Sequence, residues 1–298
     1  MVKTNGSDKI SGVVTALVTP FNKGRIDYAS VKKLIQHQLD NGIQGFVVNG
    51  TTGESPTLDW DEIEKLFKYV KSEVDNEVPV ILGTGSNSTK STVRATQLAA
   101  KLKADAALVV CPYYNKPTQE GLVQHYQTVA RSSKCPIILY NVPGRTVISI
   151  NPETTIKLAK EKNIMGIKEA SGHIENAEYL HRRAPKNFLL MSGDDSTCVD
   201  FILAGGAGVI SVISHIIPAQ LRKLSDAARA GDISARSEYF KFKELIEALS
   251  MEPNPTPVKM MLYMMGIIKS PELRLPMLEA SRGSCMKIKN TLKKFELM

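Results

Sequence analysis

The chain has 298 residues, of which 43% are hydrophobic and 23% charged, and its formal net charge is +8 at pH 7. This length suits one α/β barrel of roughly 250 residues with an appendage, and the composition is ordinary for a water-soluble globular protein. No apolar run approaches the roughly 20 residues of a membrane span, and no apolar segment of a secretory signal follows the first lysine. We therefore expect a cytoplasmic protein that does not enter a membrane.

The basic charge raises nucleic-acid binding as a first alternative. However, basic and acidic residues are interleaved along the helical segments, as in 59–71, and no motif combines aromatic with basic residues. A mild positive field that attracts small carboxylate substrates explains the charge equally well, so we expect no nucleic-acid partner. The four cysteines are far apart and form no C-x-x-C pair, which argues against a zinc knuckle and is typical of reduced thiols.

Short apolar segments recur along the chain, and a segment with helical periodicity follows each of them. Eight strands are predicted on this basis, at 12–18, 43–49, 79–82, 106–110, 136–140, 164–168, 188–191 and 208–212. The alternation favours an α/β fold of the (β/α)8 TIM-barrel type over an open doubly wound sheet. No G-x-G-x-x-G opens an early helix, so a dinucleotide-binding fold has little support.

Capping residues mark the starts of several predicted helices. We expect Asp27 to cap the first helix, Asp59 and Glu62 to form a capping-box pair, and Asn151 to cap a helix that begins at Pro152. Two further helices are predicted at about 89–101 and 119–132.

Strand patterns stop at about residue 231, and only helical patterns remain beyond it. The predicted helices there span 234–250, 257–265 and about 276–297, and the sequence E-P-N-P at 252–255 interrupts them. We therefore predict a barrel domain over 1–231 and a C-terminal helical domain over 232–298 that packs on the barrel.

The segment 163–172, N-I-M-G-I-K-E-A-S-G, places Lys168 at the end of an apolar strand and before a polar turn. A buried lysine amine at such a position is a standard nucleophile of Schiff-base catalysis with ketones. A strand that ends at the surface, where lysines are common, is the alternative interpretation of this segment alone.

Other reactive side chains follow other predicted strands. Thr51 and Thr52 follow the second strand, Tyr113 and Tyr114 follow the fourth, and Tyr140 ends the fifth, which Arg145 follows. The C-terminal ends of barrel strands meet at one mouth, so these residues are expected to converge with the lysine. Each has an ordinary structural explanation alone, but together they supply a nucleophile, phenols for proton transfer and a cation for a carboxylate.

Competing chemistries have weaker signals. The five histidines are scattered and no pair has metal-ligand spacing, which weakens a zinc-dependent aldolase, and we predict neither a metal nor a cofactor. The glycine pairs at 83–85 and 205–206 are weak as phosphate-binding loops, because tight turns between strands and helices also require glycine.

The motifs, taken in order, resemble the dihydrodipicolinate synthase family of the pyruvate-dependent class I aldolase superfamily, which includes N-acetylneuraminate lyase. The resemblance runs nearly end to end through G-V-V-T-A-L-V-T-P-F, G-T-T-G-E-S, P-Y-Y-N-K-P, Y-N-V-P-G-R-T, G-I-K-E-A-S-G, S-G-D-D, E-P-N-P and R-L-P-M. It implies a cofactor-free Schiff-base lyase that condenses pyruvate with L-aspartate 4-semialdehyde to 4-hydroxy-tetrahydrodipicolinate in diaminopimelate and lysine biosynthesis.

The resemblance also implies roles for individual residues. Lys168 would form the imine with pyruvate, and Tyr140, Thr51 and Tyr114 would form a proton relay. Tyr114 would reach into the site of a neighbouring subunit, since the family is typically a homotetramer built as a dimer of dimers.

Four further residues would bind the substrates. Thr52 would hold the pyruvate carboxylate, and the backbones of Gly193 and Ile210 would line the pocket. Arg145 would hold the carboxylate of the second substrate, whereas sialic-acid lyases usually have a hydrophobic residue there. Two alternatives stay open: another aldolase of the superfamily that acts on a sugar-like 2-keto acid, and an inactive barrel that serves as a basic binding scaffold.

One region departs from the lysine-inhibited members of the family. Those members bind lysine at the dimer interface through a histidine and a glutamate, where this chain has Ile63 and Ser91, and another histidine position is Trp60. We therefore expect weak or absent feedback by lysine.

Overall fold

Eight parallel strands form a closed barrel in a computed structural model that describes residues 10–298. The expectation that the first nine residues carry no secretory signal lies outside the described residues. The barrel strands are β1 (Gly12–Ala16), β4 (Phe46–Val48), β5 (Val80–Gly83), β6 (Ala106–Val110), β7 (Ile137–Asn141), β8 (Ile164–Glu169), β9 (Leu189–Ser192) and β10 (Gly208–Ser211). Each strand pairs in parallel with its neighbour in sequence, and β10 pairs with β1 to close the barrel. The predicted (β/α)8 fold is confirmed.

Helices surround the barrel and continue past its last strand. They are α1 (Tyr28–Asp40), α2 (Trp60–Val74), α3 (Thr89–Lys101), α4 (Gln119–Ser132), α5 (Pro143–Thr146), α6 (Pro152–Leu158), α7 (Ile174–Arg183), α8 (Cys198–Leu203), α9 (Pro218–Arg229), α10 (Ser234–Phe240), α11 (Lys243–Leu249), α12 (Thr256–Met264) and α13 (Arg282–Lys294). Over residues 10–298, no helix is long and apolar enough to cross a membrane.

The strands are buried on both faces, as expected for a parallel sheet covered by helices. One face fills the barrel interior with a cluster that includes Val14, Val47 and Ile210. The other face packs against the helices in a larger cluster that includes Val13 and Phe46. This double burial explains why the strands appear in the sequence as continuous apolar runs rather than as an alternating pattern.

Most capping predictions hold. The Asp27 side chain accepts a hydrogen bond from the backbone of Ser30, and Asp59 and Glu62 form the predicted capping box at the start of α2. Asn151 occupies the N-cap position of α6, but its side chain makes no capping hydrogen bond. The predicted bounds of α3 and α4 match those of the structure.

The C-terminal helices differ from the prediction at two points. The predicted helix 234–250 is two helices, α10 and α11, because the chain turns at Phe242, whose ring stacks on Phe295 with a centroid separation of 6.0 Å. The predicted helix 276–297 begins only at Arg282, because the Ser281 side chain accepts from the backbone of Ser284 and caps the helix there. The domain boundary at 231/232 stays a prediction.

Two small elements were not predicted. A two-stranded antiparallel hairpin of β2 (Phe21–Asn22) and β3 (Arg25–Ile26) follows the first barrel strand. The short helix α5 follows β7, directly after the Tyr140 strand, and carries Arg145. Strands of two residues and a helix of four are too short to show a hydrophobic period.

Candidate active site

Lys168 lies near the C-terminal end of β8, inside the barrel mouth. In the strand register it sits between Tyr140 of β7 and Met191 of β9, both members of the interior cluster. The residue is 6% exposed, and its Nζ is 4.4 Å from the centroid of the Tyr140 ring. No residue in the described range 10–298 pairs with this amine by a hydrogen bond or a salt bridge. The amine is therefore free to react with a molecule in the barrel mouth.

Gly193 provides the space that the Lys168 side chain occupies. A Cβ atom at Gly193 would lie 2.8 Å from Cε of Lys168 and 2.7 Å from Cβ of Ala170, closer than such atoms approach in proteins. The backbone N–H of Gly193 donates to the carbonyl of Glu169 at 2.7 Å, which fixes the turn after β9 against β8. Lys168 can therefore adopt this position only because residue 193 has no side chain.

Two adjoining cavities open at the barrel mouth. The inner cavity, of about 270 Å³, is lined by six of the eight predicted site residues: Lys168, Tyr140, Thr51, Thr52, Arg145 and Gly193. The outer cavity, of about 320 Å³, shares Thr51, Tyr140 and Arg145 with it and extends to Trp60, Ile63 and Tyr113. The predicted convergence of residues from four different strand ends is present.

The other two predicted site residues line neither cavity. Tyr114 is 87% exposed, so its ring lies on the surface of this subunit. Ile210 is buried in the barrel interior in register with Val14, and Val212, two residues further along, lines the inner cavity instead.

Asn254, which was not among the predicted site residues, links two of the predicted substrate-binding residues. Its side-chain Nδ2 donates to Oγ1 of Thr52 at 2.9 Å, and its backbone carbonyl accepts from Nη2 of Arg145 at 3.3 Å. Asn254 lines the inner cavity from the segment between α11 and α12. The segment E-P-N-P was predicted as a helix break and was one of the motifs of the family resemblance, but no site role was assigned to it; a polar residue between two prolines was the signal available.

A buried ion pair fixes the loop that carries Thr51 and Thr52. Glu54 accepts from Nζ of Lys259 at 2.5 Å and from the backbone N–H of Arg274 at 3.0 Å. Burial lowers the pKa of Lys259, and the charge of Glu54 opposes that shift. The C-terminal extension therefore holds the loop of the second barrel strand in place.

Two buried carboxyl groups lie at the ends of neighbouring strands, Glu169 as the last residue of β8 and Asp195 in the turn after β9. Glu169 accepts from Nδ2 of Asn141 at 2.9 Å and from the backbone of Ser171 at 2.7 Å, while burial raises its pKa. Asp195 lines the inner cavity and accepts from the backbones of Val212 and Ile213, each at 2.9 Å, and burial also raises its pKa. Both groups hold backbone around the mouth.

The chemistry of the lining suits a small 2-keto acid. The inner cavity offers an unpaired amine for the ketone, hydroxyl groups for proton transfer and a guanidinium group for a carboxylate. Within residues 10–298, no group of three or more His, Cys, Asp or Glu side chains is arranged to hold a metal ion.

Known proteins are similar to this chain in both sequence and fold. A 4-hydroxy-tetrahydrodipicolinate synthase of Bdellovibrio bacteriovorus is 48% identical over 284 residues, which cover 95% of this chain and 97% of that protein. The crystal structure of a dihydrodipicolinate synthase from Thermotoga maritima superposes with a TM-score of 0.95 at 43% identity, covering 97% of this chain and 100% of the other. A monomeric dihydrodipicolinate synthase variant superposes with a TM-score of 0.95 at 42% identity, covering 98% and 99%.

The match extends over the barrel and the C-terminal helices alike. The family model for the dihydrodipicolinate synthetase family matches residues 9–295 of the chain. With nearly the whole length matched, the chain belongs to the dihydrodipicolinate synthetase family.

Proposed function

We propose that this chain is a lyase that condenses pyruvate with L-aspartate 4-semialdehyde to 4-hydroxy-tetrahydrodipicolinate, a step of diaminopimelate and lysine biosynthesis. The observation that carries the proposal is the unpaired, buried amine of Lys168 in one cavity with Thr52 and Arg145. The names of the similar proteins agree with it.

The covalent step uses Lys168. Its Nζ attacks the C2 carbonyl carbon of pyruvate, and loss of water gives an imine. Loss of a C3 proton then gives an enamine, whose C3 attacks the aldehyde carbon of the semialdehyde and leaves a hydroxyl group there. The amine of the second substrate displaces Lys168 from C2, which closes the ring and frees the enzyme.

Three hydroxyl groups move the protons in this sequence: those of Tyr140, Thr51 and Tyr114. Tyr140 and Thr51 line the inner cavity of their own subunit. Tyr114 is exposed and acts in the site of a neighbouring subunit. General acid–base catalysis of this kind contributes about 10²–10⁴-fold to a rate.

Two residues bind the two carboxylates. Thr52 holds that of pyruvate through its backbone amide and hydroxyl, and Arg145, on the exposed rim of the mouth, holds that of the semialdehyde. The backbone of Gly193 completes the wall of the inner cavity, whereas Ile210 lies behind that wall in the barrel interior. A guanidinium group at the rim suits a bidentate carboxylate contact.

The working form is a cytoplasmic homotetramer, a dimer of dimers. Trp60 and Tyr113 line the outer cavity and are exposed, as are Tyr114 and Val147 in the segments after β6 and β7, and a second subunit would cover them. Sedimentation of the purified wild type and of the Tyr114→Phe and Tyr114→Arg variants tests the tetramer. The arginine variant should dissociate. A monomeric wild type would contradict the tetramer.

Product analysis tests the reaction itself. The enzyme is incubated with pyruvate and either L-aspartate 4-semialdehyde or a sugar aldehyde of the kind that sialic-acid lyases use, and the products are identified by mass spectrometry. We expect the cyclic product from the semialdehyde only. Condensation with the sugar alone would move the function to a sugar-acid aldolase.

A further inference from the structure

The hydrogen bond between Asn254 and Thr52 determines which way the threonine hydroxyl can donate. A hydroxyl group has one proton to donate and two lone pairs that accept. The Asn254 amide nitrogen donates to Thr52 Oγ1 at 2.9 Å and so occupies one lone pair. No acceptor in the described part of the chain takes the Thr52 proton. That proton is left for an acceptor in the cavity, such as a carboxylate.

The same residue also supports the cation at the rim. The guanidinium Nη2 of Arg145 donates to the backbone carbonyl of Asn254 at 3.3 Å. Asn254 thus contacts one group for each of the two substrate carboxylates, through its side chain on one side and its backbone on the other. A change of its side chain removes the first contact and leaves the second.

A further observation separates Asn254 from a residue that serves packing alone. Its side-chain Oδ1 is buried and has no hydrogen-bond partner in the described part of the chain. A buried acceptor without a partner destabilises a fold, and a role in ligand binding or catalysis is one reason for which native structures retain such a group. Residue 254 also lies 202 positions from Thr52 in the sequence, so the C-terminal extension reaches into the site through this contact.

We propose that Asn254 is a positioning residue that directs the Thr52 hydroxyl proton towards the pyruvate carboxylate. The proposal rests on the proposed function, since it assigns pyruvate to the inner cavity. Asn254 should affect the affinity for pyruvate, the first substrate, and leave the chemical steps unchanged.

The test measures the pyruvate concentration that gives half-maximal borohydride trapping on Lys168, in the absence of semialdehyde. Asn254→Ala should raise it by about tenfold, the order expected for one hydrogen bond to a charged group. Asn254→Asp should raise it further, because a carboxylate takes the Thr52 proton and repels the substrate. The KM for semialdehyde should change little in Asn254→Ala, since the Arg145 contact uses the backbone.

A double-mutant cycle with Thr52→Val separates positioning from general destabilisation. With the hydroxyl gone, Asn254→Ala should have no further effect on half-saturation, whereas a purely structural role predicts additive losses. Asn41→Ala is the matched control, because its amide donates at 2.8 Å to the carbonyl of His37, a residue of the peripheral helix α1. It should leave half-saturation at the wild-type value.

Two results would overturn the inference in distinguishable ways. Wild-type half-saturation in Asn254→Ala, with trapping intact, would remove the positioning role and leave the proposed function standing. Absence of any pyruvyl adduct in the folded wild-type protein would remove both.

Discussion

Lys259 of α12 forms an ion pair with Glu54, 205 residues earlier in the chain, and both side chains are withdrawn from water, with 0% and 2% exposure. Nζ of Lys259 also donates to the backbone carbonyl of Glu272 at 2.7 Å and lies 4.3 Å from the centroid of the Phe21 ring. This pair connects the C-terminal helices to the loop that carries Thr51 and Thr52. The packing of the extension therefore helps to fix the geometry of the site.

Loss of one partner of this pair should be costly. Lys259→Met leaves the buried Glu54 carboxylate without its ion-pair partner, and we expect the free energy of unfolding to fall by about 3–5 kcal/mol. Denaturant unfolding at pH 7 measures it. Adding Glu54→Gln should recover part of the loss, because the amide carries no charge.

The matched control for that change is another lysine–glutamate pair. Lys294 contacts Glu244 at 2.6 Å, but both side chains are more than half exposed. Lys294→Met should cost less than about 1 kcal/mol, as for other surface pairs. Equal effects of the two lysine substitutions would contradict the importance of burial.

Gly193→Ala should impair catalysis. The added Cβ would lie 2.8 Å from Cε and 2.9 Å from Cγ of Lys168, so the side chain must move to make room. A displacement of the order of 1 Å costs about 10²-fold in rate, and we expect that loss in kcat. Gly283→Ala in α13 is the control, since no heavy atom lies within 4 Å of its added Cβ. Its kcat should remain unchanged, and an unimpaired Gly193→Ala would contradict the steric explanation.

Buried His215 should make stability depend on pH. Its Nε2 accepts from the backbone of Val18 at 3.2 Å, its Nδ1 donates to the carbonyl of Val212 at 2.8 Å, and burial lowers its pKa to about 4. The unfolded chain, with a histidine pKa of about 6.5, binds this proton first as the pH falls. The stabilisation is therefore complete above about pH 6.5 and is lost progressively down to about pH 4.

The measurement compares unfolding free energies at pH 7 and pH 5 in wild type and His215→Gln, so that titrating carboxylates common to both cancel. The variant should lose about 2 kcal/mol less than wild type over this interval. His125→Gln provides an independent repeat, because burial lowers the pKa of His125 to about 4 as well. An identical pH dependence in all three proteins would contradict a neutral buried histidine.

Lysine should inhibit weakly or not at all. The outer cavity is lined by Ile63, Trp60 and Tyr113, and no carboxylate is among its described lining residues, while Arg145 adds positive charge. Nothing there offsets the desolvation of the inhibitor's two ammonium groups. Initial rates with millimolar lysine should equal those with norleucine, which has one ammonium group fewer. Strong inhibition by lysine but not by norleucine would contradict this prediction.

The barrel and the lysine strand were predictable because both depend on local pattern. Buried parallel strands appear as continuous apolar runs, and β6 was predicted at its observed bounds. The eightfold alternation then placed Thr51, Tyr140, Arg145 and Lys168 at a common mouth without reference to contacts. The hydrophobic pattern of each segment and the order of the segments along the chain were sufficient for that prediction.

The contacts made by the C-terminal extension were not predictable in this way. Asn254 meets Thr52, and Lys259 meets Glu54, only after the chain has passed around the whole barrel. A buried lysine in an apolar helix and a polar residue between prolines have no period that identifies their partners. The break at Phe242 likewise coincides with the stacking of its ring on Phe295, a tertiary contact that no local propensity encodes.

Borohydride trapping with pyruvate, read by peptide mass, tests the proposed chemistry most directly. A pyruvyl adduct should appear on Lys168 alone, should be absent from a folded Lys168→Ala variant, and should be consumed when L-aspartate 4-semialdehyde is added before the borohydride. A folded wild-type protein that gives no adduct, or an adduct on another lysine, would contradict the role assigned to Lys168.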